Sequence, residues 1–151
     1  MEEEGHAQTA KTQQSRSEQK EAKEAQEFKL VYKREHAIAY LQRKMPYNFT
    51  VYKRILHEIN MRLPDFKPKT SLDYGAGLGS GVWATHSIFG DDGIKSLKRS
   101  AAVEPNVSMR KLGKFLAEDQ FNHPVLWVDS LAMIPAGERG KLDLIILGFV
   151  L

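Results

Sequence analysis

The 151-residue sequence contains no cysteine. Disulfides, zinc–thiolate sites and iron–sulfur clusters therefore have no sulfur ligand within these residues. That suits a reducing compartment but fixes no address. Long apolar runs are also missing. The longest, Leu144–Leu151, is interrupted by Gly148, and it falls far short of the ~18 residues that a membrane span needs, so no membrane partner is expected. The first 27 residues lack aromatics, valine, isoleucine and leucine. They cannot bury enough apolar surface to offset their ordering entropy and are expected to form a disordered charged linker. Met1-Glu2-Glu3-Glu4 is the opposite of an Arg-rich transit peptide, and no secretory apolar core follows. His57, His86 and His123 stand singly, with no ligand cluster, so no metal site is expected.

What is present points to one soluble domain, with 42% hydrophobic and 27% charged residues. The net charge of +3 hides an asymmetry. Residues 1–27 carry seven acidic groups against four basic ones, whereas residues 28–62 carry eight basic groups against Glu35 and Glu58. A basic block attracts polyanions such as nucleic acid, although a solvated helix face has the same composition.

Residues 28–66 are expected to be a basic helical extension. Ala37, Ile38, Leu41 and Met45 fall at helical spacing, and Pro46 marks the end of that helix. Val51, Ile55, Leu56, Ile59 and Leu63 form an apolar stripe on a second helix, with Asn48 or Thr50 as its cap. Pro64 ends it. From residue 67 the pattern alternates. Strands are predicted at Ser71–Tyr74, Ala101–Glu104, Val125–Asp129 and Leu142–Phe149. Helices are predicted at Ser80–Phe89 and Val107–Asp119, and Asp91–Arg99 is a polar loop. This is the grammar of a doubly wound parallel α/β sheet. The fourth strand, apolar throughout, reads as buried on both faces. The chain stops within it. Residues 67–151 are thus expected to be the N-terminal half of a domain, in a fragment or in a split subunit whose C-terminal half lies on another chain.

The chemistry concentrates in Leu72-Asp73-Tyr74-Gly75-Ala76-Gly77-Leu78-Gly79. A strand runs into three glycines at alternate positions, and a helix follows. Glycine tolerates positive φ and lets the backbone press against a ligand at the carboxyl end of the first strand. The dinucleotide fingerprint is a competitor, but its third glycine would fall on Ser80. An acid just before the glycines, Asp73, is ill placed beside two phosphates and well placed beside a cationic sulfonium and ammonium. The turn therefore reads as the S-adenosylmethionine loop of a class I methyltransferase-like domain. The residues assigned to it are Asp73, Gly75, Ala76, Gly77 and Gly79. A tight glycine turn without ligand is the structural alternative. Glu104, ending the second strand, is placed to accept from both ribose hydroxyls, and Asp129, ending the third, to contact adenine. Asp143 reads as structural. After the fourth strand no polar group orients a nucleophile, so no catalytic residue is assigned.

A longer signature surrounds the turn: Tyr40-Leu-Gln-Arg-Lys-Met45-Pro46, Arg62-Leu-Pro-Asp-Phe-Lys-Pro68, Ser71-Leu-Asp-Tyr-Gly-Ala-Gly77 and Val82-Trp-Ala84. It resembles the mitochondrial small-ribosomal-subunit assembly family of methyltransferase-like proteins, from about His36 to Leu151. The resemblance implies a mitochondrial location and partners among small-subunit ribosomal RNA and ribosomal proteins. It also implies S-adenosylmethionine binding through Asp73, Gly75, Gly77 and Glu104, and an iron–sulfur cluster for which this chain has no cysteine. Arg43, Lys44, Lys53, Arg54 and Arg62, interleaved with Tyr32, Tyr40, Tyr47, Phe49 and Tyr52, are the candidate RNA contacts, with ordinary helix packing the other role for the aromatics. Three functions follow: a cofactor-binding assembly factor, an active RNA or protein methyltransferase, and a structural ribosomal protein without cofactor.

Overall fold

The computed structural model describes residues 33–90 and 93–149. The expected linker 1–27, Tyr32 and the first part of the polar loop, residues 91–92, lie outside the described residues.

Two helices come first, α1 (Arg34–Arg43) and α2 (Met45–Arg62). Pro46 lies in the first turn of α2, where its missing N–H would have no partner anyway. Asn48 and Thr50, expected as caps, sit inside that helix instead. Thr50 donates back to the Pro46 carbonyl at 2.8 Å. The buried face of α2 is also rotated from the expected stripe. Asn48 and Leu56 are buried, and Phe49, Tyr52 and Ile59 pack against the core, while Ile55 and Leu63 are exposed. A polar residue and a tyrosine hold places that hydropathy alone assigned to aliphatic residues.

The remaining elements are β1 (Thr70–Tyr74), α3 (Ser80–Phe89), β2 (Arg99–Val103), α4 (Val107–Ala117), β3 (Val125–Val128), a 3₁₀ turn at Leu131–Met133, the one-turn helix α5 (Ala136–Arg139) and β4 (Leu144–Leu147). Helix α4 is capped by Asn106, whose side chain accepts from the Met109 amide at 3.1 Å. All strand pairings are parallel and the order is β3-β2-β1-β4. This is the first part of the doubly wound order 3-2-1-4-5-6. The chain is therefore α/β with a parallel sheet, as expected.

One face of the sheet is covered by helices. Leu56 of α2 and Ala84, Ile88 and Phe89 of α3 pack with Ile146 of β4. Val82 of α3 packs with Ala102, Val125 and Trp127. Helices α1 and α4 meet over the loop after β1, where Ala37, Leu78 and Met109 are buried together. On the other face Ile134 and Leu142 cover only Leu72, Ala101, Val103 and Val128. Strand β4 corrects an expectation here. It is shorter than Leu142–Phe149, and Ile145 and Leu147 are 50% and 64% exposed. Its apolar run reflects one packed face, Leu144 and Ile146, and one open face.

Candidate functional site

Strands β1, β2 and β3 follow one another to one side, and the chain then crosses over to place β4 on the opposite side of β1. The carboxyl ends of β1 and β4 therefore flank the switch point where open α/β sheets bind ligands. The glycine turn lies there. Gly75, Gly77 and Gly79 have φ of 71°, 57° and 88°, a region that side chains disfavour. The Gly75 and Ala76 amides donate to the Val103 carbonyl at 2.9 and 3.0 Å, tying the turn to the end of β2.

Two expected acids meet the turn. Glu104 accepts from the Gly77 amide at 2.9 Å through one carboxylate oxygen and from the Asn106 amide at 2.7 Å through the other. Asp73 stands behind the turn rather than at its mouth. Its carboxylate is buried and accepts from the Val82 amide at 3.2 Å, capping α3 from below. Burial pushes its pKa up to about 7, against the lowering effect of the Val82 and Gly81 amides, and Glu104 adds to the rise. A Cβ on Gly81 would stand 2.6 Å from Asp73 Oδ2. Gly81 thus belongs to the site although the motif reading gave it no role. Asp129 is exposed after β3, two strands away from β1.

The helical extension contributes what sequence reasoning missed. A Cβ at Gly77 would lie 3.4 Å from the Tyr40 hydroxyl and 3.5 Å from Met109 Cε. That hydroxyl accepts from the buried Asn48 amide at 2.9 Å. Tyr52 donates to the Gly148 carbonyl at 2.8 Å, across the end of β4. Burial, then Asp73 and Tyr40, push the Tyr52 phenol up to about 12. Part of the signal was available: Asn48, Tyr52 and Leu56 share a face of α2 at i, i+4 and i+8. Ala76, Gly77 and Gly79 are consequently buried, and a ligand atom set against Gly77 must displace the Tyr40 hydroxyl. Two cavities, of about 330 and 370 Å³, lie beside His123 and Trp127 and on the open sheet face.

The histidine expectation needs correction. His57 is exposed, but His86 and His123 stack at 4.7 Å, and Ser100 Oγ lies 3.1 and 3.4 Å from their Nε2 atoms. They sit apart in sequence and meet because β2 passes between their elements. No group of three metal-ligating side chains occurs among the described residues.

Comparison with known proteins decides the family. The model of the mitochondrial small ribosomal subunit family Rsm22 matches residues 34–151. The chain belongs to the Rsm22 family. It is also 27% identical over 118 residues to the human mitochondrial ribosome assembly protein METTL17, a match covering 76% of this chain and 25% of the relative. The chain thus spans about a quarter of that relative's length. The expected mitochondrial location and family resemblance hold. As an Rsm22 segment this chain does not fit an iron–sulfur cluster, because it has no thiolate to offer.

In this Rsm22 chain all five candidate RNA contacts, Arg43, Lys44, Lys53, Arg54 and Arg62, are exposed. Arg54 and Arg62 share Glu58 at 2.7 and 3.3 Å, and the Lys53 ammonium sits 5.5 Å from the Phe49 ring centre. Of the interleaved aromatics, Tyr40, Phe49 and Tyr52 turn into the fold and Tyr47 stays 61% exposed. Among the described residues no helix is long and apolar enough to cross a membrane.

Proposed function

We propose that this chain is the S-adenosylmethionine-binding segment of a mitochondrial small-subunit assembly factor that docks on ribosomal RNA through α1 and α2. The observation carrying the ligand reading is the Glu104–Gly77 hydrogen bond. It aligns an acid at the end of β2 with a glycine turn at the β1/β4 switch point, in front of a second, buried carboxylate. Bound S-adenosylmethionine would supply an electrophilic methyl group. Gly77 and Gly79 would bear the ligand, and Glu104 would accept from its ribose. The assembly role is supported by family membership and by the name of the human relative. The RNA reading is supported by five exposed cations along two consecutive helices.

A structural role without cofactor is the second reading. It is favoured by the Tyr40 hydroxyl over Gly77, which closes the turn. Calorimetric titration with S-adenosylmethionine separates the two: saturable binding abolished by Gly77→Arg supports the first, and no heat at millimolar ligand supports the second. For RNA, Lys53→Glu with Arg54→Glu is expected to weaken binding to small-subunit RNA about tenfold at low salt, with the difference shrinking as salt rises. Unchanged affinity at low salt would remove the docking assignment.

A further inference from the structure

Burial sorts the aromatics of the helical extension into two groups. Tyr40, Phe49 and Tyr52 pack into the fold, whereas the Tyr47 ring stays outside. A second outward ring joins it. Phe149, just after β4, is 56% exposed, and its ring centre lies 6.3 Å from that of Tyr47. Tyr52 holds Phe149 there from behind. Its hydroxyl donates to the carbonyl of the preceding residue, Gly148, and its ring meets Phe149 edge to face at 5.5 Å. A Cβ on Gly148 would stand 2.6 Å from the Tyr52 hydroxyl oxygen, so this close approach needs glycine. Phe149 itself has a φ of 58°, a left-handed backbone that bulky side chains disfavour. Such strain persists where neighbouring contacts over-determine it, and it clusters at binding sites.

Charge indicates what the pair fits. Lys44, Tyr47, Arg54 and Arg62 follow one another by steps of three, seven and eight residues, which keeps them on one face of α2 and its cap. All three cations are exposed. Glu58, the acid of α2, is already shared between Arg54 and Arg62. A basic peptide is repelled by such a face. Nucleic acid supplies phosphates for its cations and flat bases for its rings, provided the bases are unpaired. In a duplex the bases stack on one another and leave no face free. We infer that Tyr47 and Phe149 form a stacking platform for an unpaired base of RNA, with Lys44 and Arg54 on the flanking phosphates. This deepens the RNA-docking reading and rests on it. The element that α2 receives is then a single-stranded loop rather than a helix.

The full chain is titrated with two labelled probes: a short oligouridylate, which stays single-stranded, and a blunt RNA duplex. Tyr47→Leu and Phe149→Leu keep apolar bulk but remove the π face, and circular dichroism with a thermal melt checks folding. The two residues lie on different elements, so one variant carries the test should the other unfold. Each is expected to weaken oligouridylate binding about tenfold, the scale of one stacked base. The salt dependence should not change, because no charge is removed, and duplex affinity should stay at the wild-type value. Tyr47→Trp, which keeps a π face, should bind oligouridylate like wild type. If wild type binds only the duplex, or if the leucine variants bind oligouridylate as tightly as wild type, the rings are left to a protein partner. The inference then falls while RNA docking stands. Equal weakening of both probes marks general damage and also overturns it. If wild type binds neither probe, the docking reading fails and takes the inference with it.

Discussion

The two ends of β1 carry carboxylates that do the same job under opposite conditions. At the amino end Asp143 accepts from the Lys69 and Thr70 amides at 2.8 and 3.0 Å. At the carboxyl end Asp73 accepts from the Val82 amide. Asp143 is open to water, and the Lys69 amide chiefly holds its pKa below the usual carboxylate value. Asp73 is sealed, and burial overrides its amide bonds to raise its pKa to about 7. Backbone donors alone therefore do not decide the protonation of a carboxylate; the dielectric around it does. The solvated end is a staple, as the sequence reading of Asp143 anticipated.

That contrast is open to direct attack. The largest effect is expected from Gly81→Val, because a Cβ there meets Asp73 Oδ2 at 2.6 Å with β1 behind it. A loss of about 3 kcal/mol in chemical denaturation is expected, and a variant as stable as wild type would show that the Asp73 carboxylate is free to move. Next comes Asp73→Asn. A folded-state pKa raised from 3.8 to about 7 means that the folded state holds the proton more tightly than the unfolded chain. Stability from this group is full below about pH 4 and declines as pH rises through 7. The substitution should remove that decline between pH 4 and 8. Parallel stability–pH curves for wild type and variant would contradict it. Smallest is Asp143→Asn. Its folded pKa is depressed, so its contribution is present above the unfolded pKa near 4 and disappears as pH falls. A slight fall in Tm at pH 7, absent at pH 2, is the expected signature, and a loss as large at pH 2 would mark packing rather than charge.

The same division separates what local patterns disclosed from what they concealed. The boundaries of α3 were legible to the residue, because the glycine turn before it and the apolar run within it are both local signals. The strands β1 to β3 were legible to within two residues at each end for a similar reason. Strand β4 was misjudged, since an apolar run does not say whether both faces find partners. Tyr40 and Tyr52 were noticed as aromatics among basic residues and assigned to RNA or to helix packing. Both do pack within the fold, and their hydroxyls also stand against Gly77 and Gly148, the latter 96 positions from Tyr52 in sequence. The His86–His123 stack was hidden in the same way, each residue looking solitary in its own segment.

By itself the sequence determined the parallel α/β alternation, the position of the glycine turn and the acids at the ends of its strands. These depend on short-range causes: backbone conformations that only glycine accepts readily, and a hydrophobic period matched to each element. Only the tertiary structure decided that Glu104 binds the Gly77 amide, that Asp73 lies sealed beneath α3, and that two tyrosines from the helical extension reach Gly77 and the end of β4. Those facts arise where the crossover to β4 and the packing of α1 and α2 bring distant residues into a space that water leaves, and burial there sets both their charge and their partners.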